Sequence, residues 1–250
     1  ELPLALLAVG FHFCVLCGYF FLRPVRDAMG VSRGMSDLRW LFVVTSIVSL
    51  ALVLAFGGVV ARTNRRRFIP IAYLFVIGCL LAFSGLLAWD GLAGGGLIGS
   101  DTETVMARGI GYSFYVWLSA INLFTTSIFW AFMVDVFDVD QGKRMFAFIG
   151  IGGTLGALAG GTATTAISSM TTSVFLPAGL MLLGAVFFAA GIILMLTLDR
   201  VARASSRSRL SNKSPAPLAP NNLEGGTIGG TFWGGLRAVV SSPYLLGIGV

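Results

Sequence analysis

An imidazole, a phenol and two guanidinium groups share one face of the first apolar segment of this 250-residue chain. At 100° per residue, His12, Tyr19, Arg23 and Arg26 fall within about 60° of one another on a helix. Such a stripe can bind an anion, because guanidinium forks match the oxygens of carboxylates and phosphates while phenol and imidazole add hydrogen bonds. An arginine at the centre of a bilayer costs roughly 2.5–3.5 kcal/mol on insertion scales, so in an apolar segment such groups face a cavity or a partner. Other readings stand beside this one. Arg23 and Arg26 lie near the end of the segment and can snorkel towards head groups, and Arg23 can pair with Asp27 one turn on. His12 can equally pack as a hydrogen-bonded neighbour of another helix. Pro24 offers no N–H to the Phe20 carbonyl and disfavours the helical conformation at Arg23, so a kink or an end is expected there.

Further along, Ser119, Asn122 and Thr126 recur at helical spacing, and side chains of this kind either bond a neighbouring helix or line a cavity. Asp135, Asp138 and Asp140, followed by Lys143 and Arg144, can form ion pairs of a gate or remain solvated loop charge. Gly152, Gly156 and Gly160 recur every four residues, with Gly153, Ala157 and Gly161 alongside, which lets another helix approach closely. This glycine run is not a dinucleotide fingerprint, since no strand precedes it and it lies inside an apolar segment. Cys14 and Cys17 stand in an apolar helix with no fourth ligand in view, and read as ordinary buried thiols. Neither a Ser/His/Asp triad nor a pair of catalytic carboxylates is evident. The chain reads as a non-enzyme that needs no metal and no cofactor.

The elements that carry these residues follow from composition. Hydrophobic residues make up 56% of the chain and charged residues 11%, with a mean hydropathy of +0.88. Soluble domains carry about 25% charged residues, so lipid is the expected solvent. About 20 apolar residues cross ~30 Å of hydrocarbon as a helix. Six such spans are expected, over 3–22, 38–61, 68–89, 109–136, 144–167 and 173–198. The fold class is all-α: a polytopic six-helix transmembrane bundle with a linker and the start of a seventh span.

Of the 17 basic residues, 12 fall in the loops after the second, fourth and sixth spans and beyond. Positive loops stay cytosolic, so the N-terminus and the linker are expected inside, in an inner or plasma membrane. The formal charge of +6 then reflects loops that face anionic lipid, and nucleic acid is not an expected partner. The chain divides into a bundle over 1–200, a flexible cytosolic linker over 201–230, rich in Ser, Pro and Asn, and an interfacial helix with a truncated seventh span over 231–250. It opens on Glu1 and closes inside an apolar run, as a fragment of a longer protein would. Six helices, a tether and more helices are the plan of a secondary transporter built from repeated halves.

Two motifs carry a resemblance. Tyr19-x-x-Leu22-Arg23-x-x-Arg26-Asp27-x-Met29-x-Val31 resembles the first-span signature of the ATP/ADP antiporter family, a relative of the major facilitator superfamily. Phe129-Trp130-x-Phe132, Lys143-Arg144, Gly150 and Gly152 resemble that family across its fourth and fifth spans. The resemblance implies a twelve-span transporter with a central cavity, in which a basic residue at the Arg26 position engages anionic substrate. It also implies a glutamate fourteen residues before the Phe132 position, where Leu118 stands with Ser119 beside it. The expectation is therefore a divergent, facilitator-like relative with an unassigned substrate. The segment from Gly58 to Arg67 is similar to the facilitator cytosolic loop motif, matching at Gly58, Ala61, Arg66 and Arg67, with Arg62 in place of its aspartate.

These readings converge on a secondary transporter of an organic anion, nucleotide-like or another metabolite, working by alternating access. His12, Tyr19, Arg23, Arg26, Asn122 and Thr126 are the candidate substrate-binding residues. Arg62, Arg66, Asp135 and Arg144 are candidates for the cytosolic gate, and Gly152, Gly156 and Gly160 for helix packing. The expected partners are a small anionic solute, the bilayer and the C-terminal half of the same chain. The competing classes are a membrane-embedded enzyme or sensor, and a lipid flippase.

Overall fold

The computed structural model describes residues 2–32, 34–62, 65–137 and 139–211; for 35–37, 53–62, 65–67, 139–141, 143–144 and 205–211 only the backbone is described. Six helices follow in chain order: α1 Leu2–Val31, α2 Met35–Arg62, α3 Arg65–Leu92, α4 Val105–Val136, α5 Val139–Met170 and α6 Leu176–Ser211. Five are long and apolar enough to cross a membrane, over Leu2–Val31, Phe68–Leu92, Val105–Val136, Met145–Met170 and Leu176–Ala204. In α2 the apolar stretch with described side chains is Leu38–Leu52. Among the described residues this is an all-helical, polytopic membrane protein.

Its surface confirms what surrounds it. Ile71, Leu74, Phe75 and Leu81 of α3, and Val186 and Ile193 of α6, are exposed. In water such a surface would drive association; against acyl chains it is at no disadvantage.

α1 is the hub, packed against α5, α6, α4 and α2, while α3 joins α6 to α4. Phe11 of α1 anchors the centre, in ring contact with Tyr73 of α3 and with Phe129 and Phe132 of α4. Hydroxyl groups tie the helices where no water reaches. Tyr73 donates to the Thr125 carbonyl at 3.1 Å, and Ser84 to the Ala178 carbonyl at 3.0 Å.

The α1–α5 contact rests on glycine. A Cβ on Gly152 would lie 2.5 Å from the Val9 carbonyl oxygen, one on Gly160 would lie 2.5 Å from that of Cys17, and one on Gly156 would fall on that of Phe13. Contacts advance by four residues in the same sense on both helices, so α1 and α5 run parallel.

Two sequence expectations are corrected. α1 neither ends at Leu22 nor stops at Pro24; it continues helical to Val31. Its buried face carries on through Leu22, Val25, Met29 and Gly30, and Tyr115 of α4 and Leu38 of α2 close over Gly30. This packing outweighs the one hydrogen bond that Pro24 removes. Secondly, α6 runs on to Ser211, past the expected boundary at 200, with Asp199 and Arg203 paired one turn apart. The rest of the linker, the interfacial helix and the seventh span lie outside the described residues.

The loop from α3 to α4 is held by one carboxylate. Buried Asp90 accepts a 2.6 Å bond from the Thr104 hydroxyl, and the same hydroxyl accepts from the Ala107 N–H at 3.0 Å as the α4 N-cap. Thr104→Ala removes both bonds and leaves the carboxylate short of a donor. The expected loss is about 1–2 kcal/mol, read as a lower melting temperature in detergent, with Thr104→Ser close to the parent. Equal melting of Thr104→Ala and parent would show the loop to be independent of this cap.

Candidate functional site

The last turns of α1 assemble the polar cluster. Arg26 is the inner member, with 17% of its side chain exposed, against 50% for Arg23 and 47% for Asp27. The Asp27 Oδ1 accepts from Arg26 Nε at 2.9 Å and from its Nη2 at 2.7 Å. These lengths are those of charge-assisted bonds. Arg26 Nη1 donates to the Ser119 hydroxyl at 3.3 Å, which itself donates to the Tyr115 carbonyl at 2.7 Å. The guanidinium carbon stands 5.5 Å from the Tyr115 ring centroid, within cation–π range. Arg26 is thus fixed by α1 and α4 together.

Two cavities flank this cluster. One, of about 330 Å³, lies between α1, α2 and α4 and is lined by Arg26, Asp27, Leu38, Phe42, Tyr115 and Ser119. The other is an open groove of about 1100 Å³ between α1 and α5, lined by Phe20, Arg23, Asp27, Thr162, Thr165 and Ser169 among others. There Arg23 stands 5.5 Å from the Phe20 ring centroid, and its Nε is 3.8 Å from the second oxygen of Asp27. Arg23 and Arg26 therefore look into different cavities, joined by one carboxylate.

Other candidates are placed elsewhere. His12 is buried among α1, α4 and α5, stacked on Phe129 with centroids 4.3 Å apart and edge-on to Trp130. Its Nδ1 lies 2.9 Å from the Ile149 carbonyl oxygen, so Nδ1 carries the proton and donates. A Cβ on Gly153 would fall on the imidazole, which explains the second glycine beside the packing stripe. Fourteen residues separate His12 from Arg26, roughly 21 Å along the helix, too far for both to hold one group. Tyr19 is buried against Phe20. Asn122 and Thr126 are half-buried on α4, below Ser119. Of the candidate gate, Asp135 is exposed near the C-terminal end of α4. The backbones of Arg62, Arg66 and Arg144 sit at the neighbouring ends of α2, α3 and α5, and their side chains lie outside the described residues.

Two residues of the cluster, Asp27 and Tyr115, were not among the sequence candidates, and Ser119 was read only as one of the polar residues of α4 that bond a neighbouring helix or line a cavity. The i, i+4 spacing of Arg23 and Asp27 was the available signal for the first. The wall of the groove was also legible, since Thr154, Leu158, Thr162, Thr165 and Ser169 recur at helical spacing along α5. Leu118, at the position where the resemblance implies glutamate, is only 1% exposed and points into the core. The α4 side chain that hydrogen-bonds Arg26 is that of Ser119.

Residues 100–211 match the family model described as TLC ATP/ADP transporter. The match spans α4, α5 and α6 and includes Tyr115, Ser119 and the α5 wall of the groove. Over that stretch it supports the resemblance to the ATP/ADP antiporter family that the sequence carries. The arginine-bearing end of α1 lies outside the matched stretch. No curated protein and no solved structure matches the chain.

Proposed function

Taking the chain as a relative of the TLC ATP/ADP transporters, we propose that it is the N-terminal half of a secondary carrier for an organic anion. Its solute carries a phosphate or carboxylate, as a nucleotide does, and crosses by alternating access between this bundle and a second one. The observation that supports this most is Arg26: a guanidinium with little solvent contact, braced by Ser119 and Tyr115 and opening onto a cavity between α1, α2 and α4. Its Nε and Nη2 meet one half-exposed carboxylate, which an oxyanion can displace, while Ser119 and Tyr115 hold the rest of the guanidinium.

Arg23 is the second, more exposed cation, and attracts the anion rather than gripping it. Asn122 and Thr126 continue the polar face of α4 below Ser119 and line the route along which the solute moves. In this reading the bundle lies in the inner or plasma membrane with its N-terminus and linker cytosolic. The ends bearing Arg62, Arg66, Asp135 and Arg144 then form the cytosolic gate. Tyr19 supports Arg23 from within α1, and His12 acts through the α1–α4–α5 packing.

Uptake into liposomes containing the full-length protein tests the proposal. Saturable entry of labelled nucleotides or other organic anions is expected, with uncharged nucleosides excluded and with faster entry when unlabelled anion is loaded inside. Liposomes that take up no anion above the protein-free background would overturn it.

A further inference from the structure

The anion-carrier reading leaves one charged group without a role, and we propose that Asp27 is a positioning residue that trades places with the transported anion. The proposal rests on that reading and extends it to a side chain that the solute displaces.

Three observations carry it. Asp27 occupies the Nε/Nη2 edge of Arg26, accepting both bonds on a single oxygen. That edge is the one a phosphate or carboxylate uses for two parallel bonds, so an incoming oxyanion and Asp27 compete for the same place. Next, Asp27 is the freer partner. Its side chain is 47% exposed against 17% for Arg26, and Arg26 is braced by Ser119 and Tyr115. Finally, Asp27 has somewhere to go. It lines both cavities, and its other oxygen is already 3.8 Å from Arg23 Nε, so a turn of the carboxylate moves it from one arginine to the other.

The charge balance gives the consequence. Two guanidinium groups and one carboxylate leave one net positive charge before the anion enters, and a bound monoanion neutralises it. Asp27 therefore weakens the hold on the anion by competing for Arg26, and speeds release by returning to it. It keeps Arg26 paired and oriented throughout the cycle.

The test is transport kinetics on the full-length protein in liposomes, with an anion that the unsubstituted protein takes up. Asp27→Asn keeps the shape and removes the charge. The expected result is a split: KM falls about tenfold while the maximal rate also falls about tenfold, since charge-assisted bonds are roughly twice as strong as neutral ones and the anion no longer meets a charged competitor. Asp27→Glu restores a carboxylate and recovers most of the rate. A purely structural Asp27 would instead lower the amount of folded protein with KM unchanged, and that outcome, or a raised KM in Asp27→Asn, overturns the proposal. Should Asp27→Asn fail to fold, Arg23→Gln decides: with the alternative partner gone, Asp27 stays on Arg26 and KM rises several-fold, whereas an unchanged KM overturns the exchange. Absence of anion uptake by the unsubstituted protein overturns the carrier reading and this proposal together; uptake with an unaltered KM in Asp27→Asn overturns this proposal alone.

Discussion

Gly156→Leu is expected to separate α1 from α5 and to leave little folded protein. A side chain at this position meets main chain, for a Cβ would fall on the Phe13 carbonyl oxygen and lie 2.9 Å from the Phe13 Cα. A flexible side chain can swing aside; a helix backbone cannot. Relief requires α1 and α5 to part along their length, because Gly152 and Gly160 hold the same spacing one turn either side. Parting them also opens the pocket around His12 and its 2.9 Å bond to Ile149, and distorts the groove that Arg23 lines. Overpacking a well-packed site typically costs about 1–3 kcal/mol, and three helical turns disturbed together put Gly156→Leu at or beyond the upper end. Gly78→Leu on α3 is the control, since a Cβ there meets nothing within 4 Å, and it should stay within about 0.5 kcal/mol of the parent. Size-exclusion profiles and melting curves in detergent decide. Melting of Gly156→Leu alongside Gly78→Leu would remove the glycine stripe from the account of this fold.

Arg26→Ala is expected to abolish most transport without unfolding the protein. Hydrogen bonds to a charged group contribute about 1.5–3 kcal/mol, which is roughly 10–150-fold in affinity. The upper end applies here, because the substitution also releases Asp27 from its closest partner, leaving Arg23 at 3.8 Å, so a carboxylate then faces the incoming anion. Arg26→Lys keeps the charge but loses the planar fork, so intermediate uptake is expected. Arg23→Ala should reduce uptake less than Arg26→Ala, since Arg23 is half-exposed and its charge is better screened. Uptake measured in liposomes at matched protein content gives the ranking. Undiminished transport by Arg26→Ala would exclude this residue from solute binding.

Much of the protein was legible from residue types and spacing. Hydropathy alone located five of the six expected spans, because the free energy of moving a segment from water into hydrocarbon is a sum over its own residues. Helical periodicity likewise put His12, Tyr19, Arg23 and Arg26 on one stripe, and Gly152, Gly156 and Gly160 on another. Both are properties of a single helix. What a stripe faces is not such a property, for it depends on the rotation and depth of the neighbours.

That distinction accounts for each departure. Helix α1 outlasts Pro24 because α2 and α4 pack over Gly30, a contact that local propensity does not contain. Ser119 rather than Leu118 meets Arg26 because the rotation of α4 points one of these adjacent residues into the core and the other at α1. His12 shares a stripe with Arg26, yet lies roughly 21 Å away along the axis and is claimed by Phe129 and Ile149. Asp27 joins two arginines that look into separate cavities, an arrangement visible only once α5 stands on one side of α1 and α2 and α4 on the other. Solvent and local periodicity are written residue by residue; the meeting of faces is a long-range property of the packed bundle.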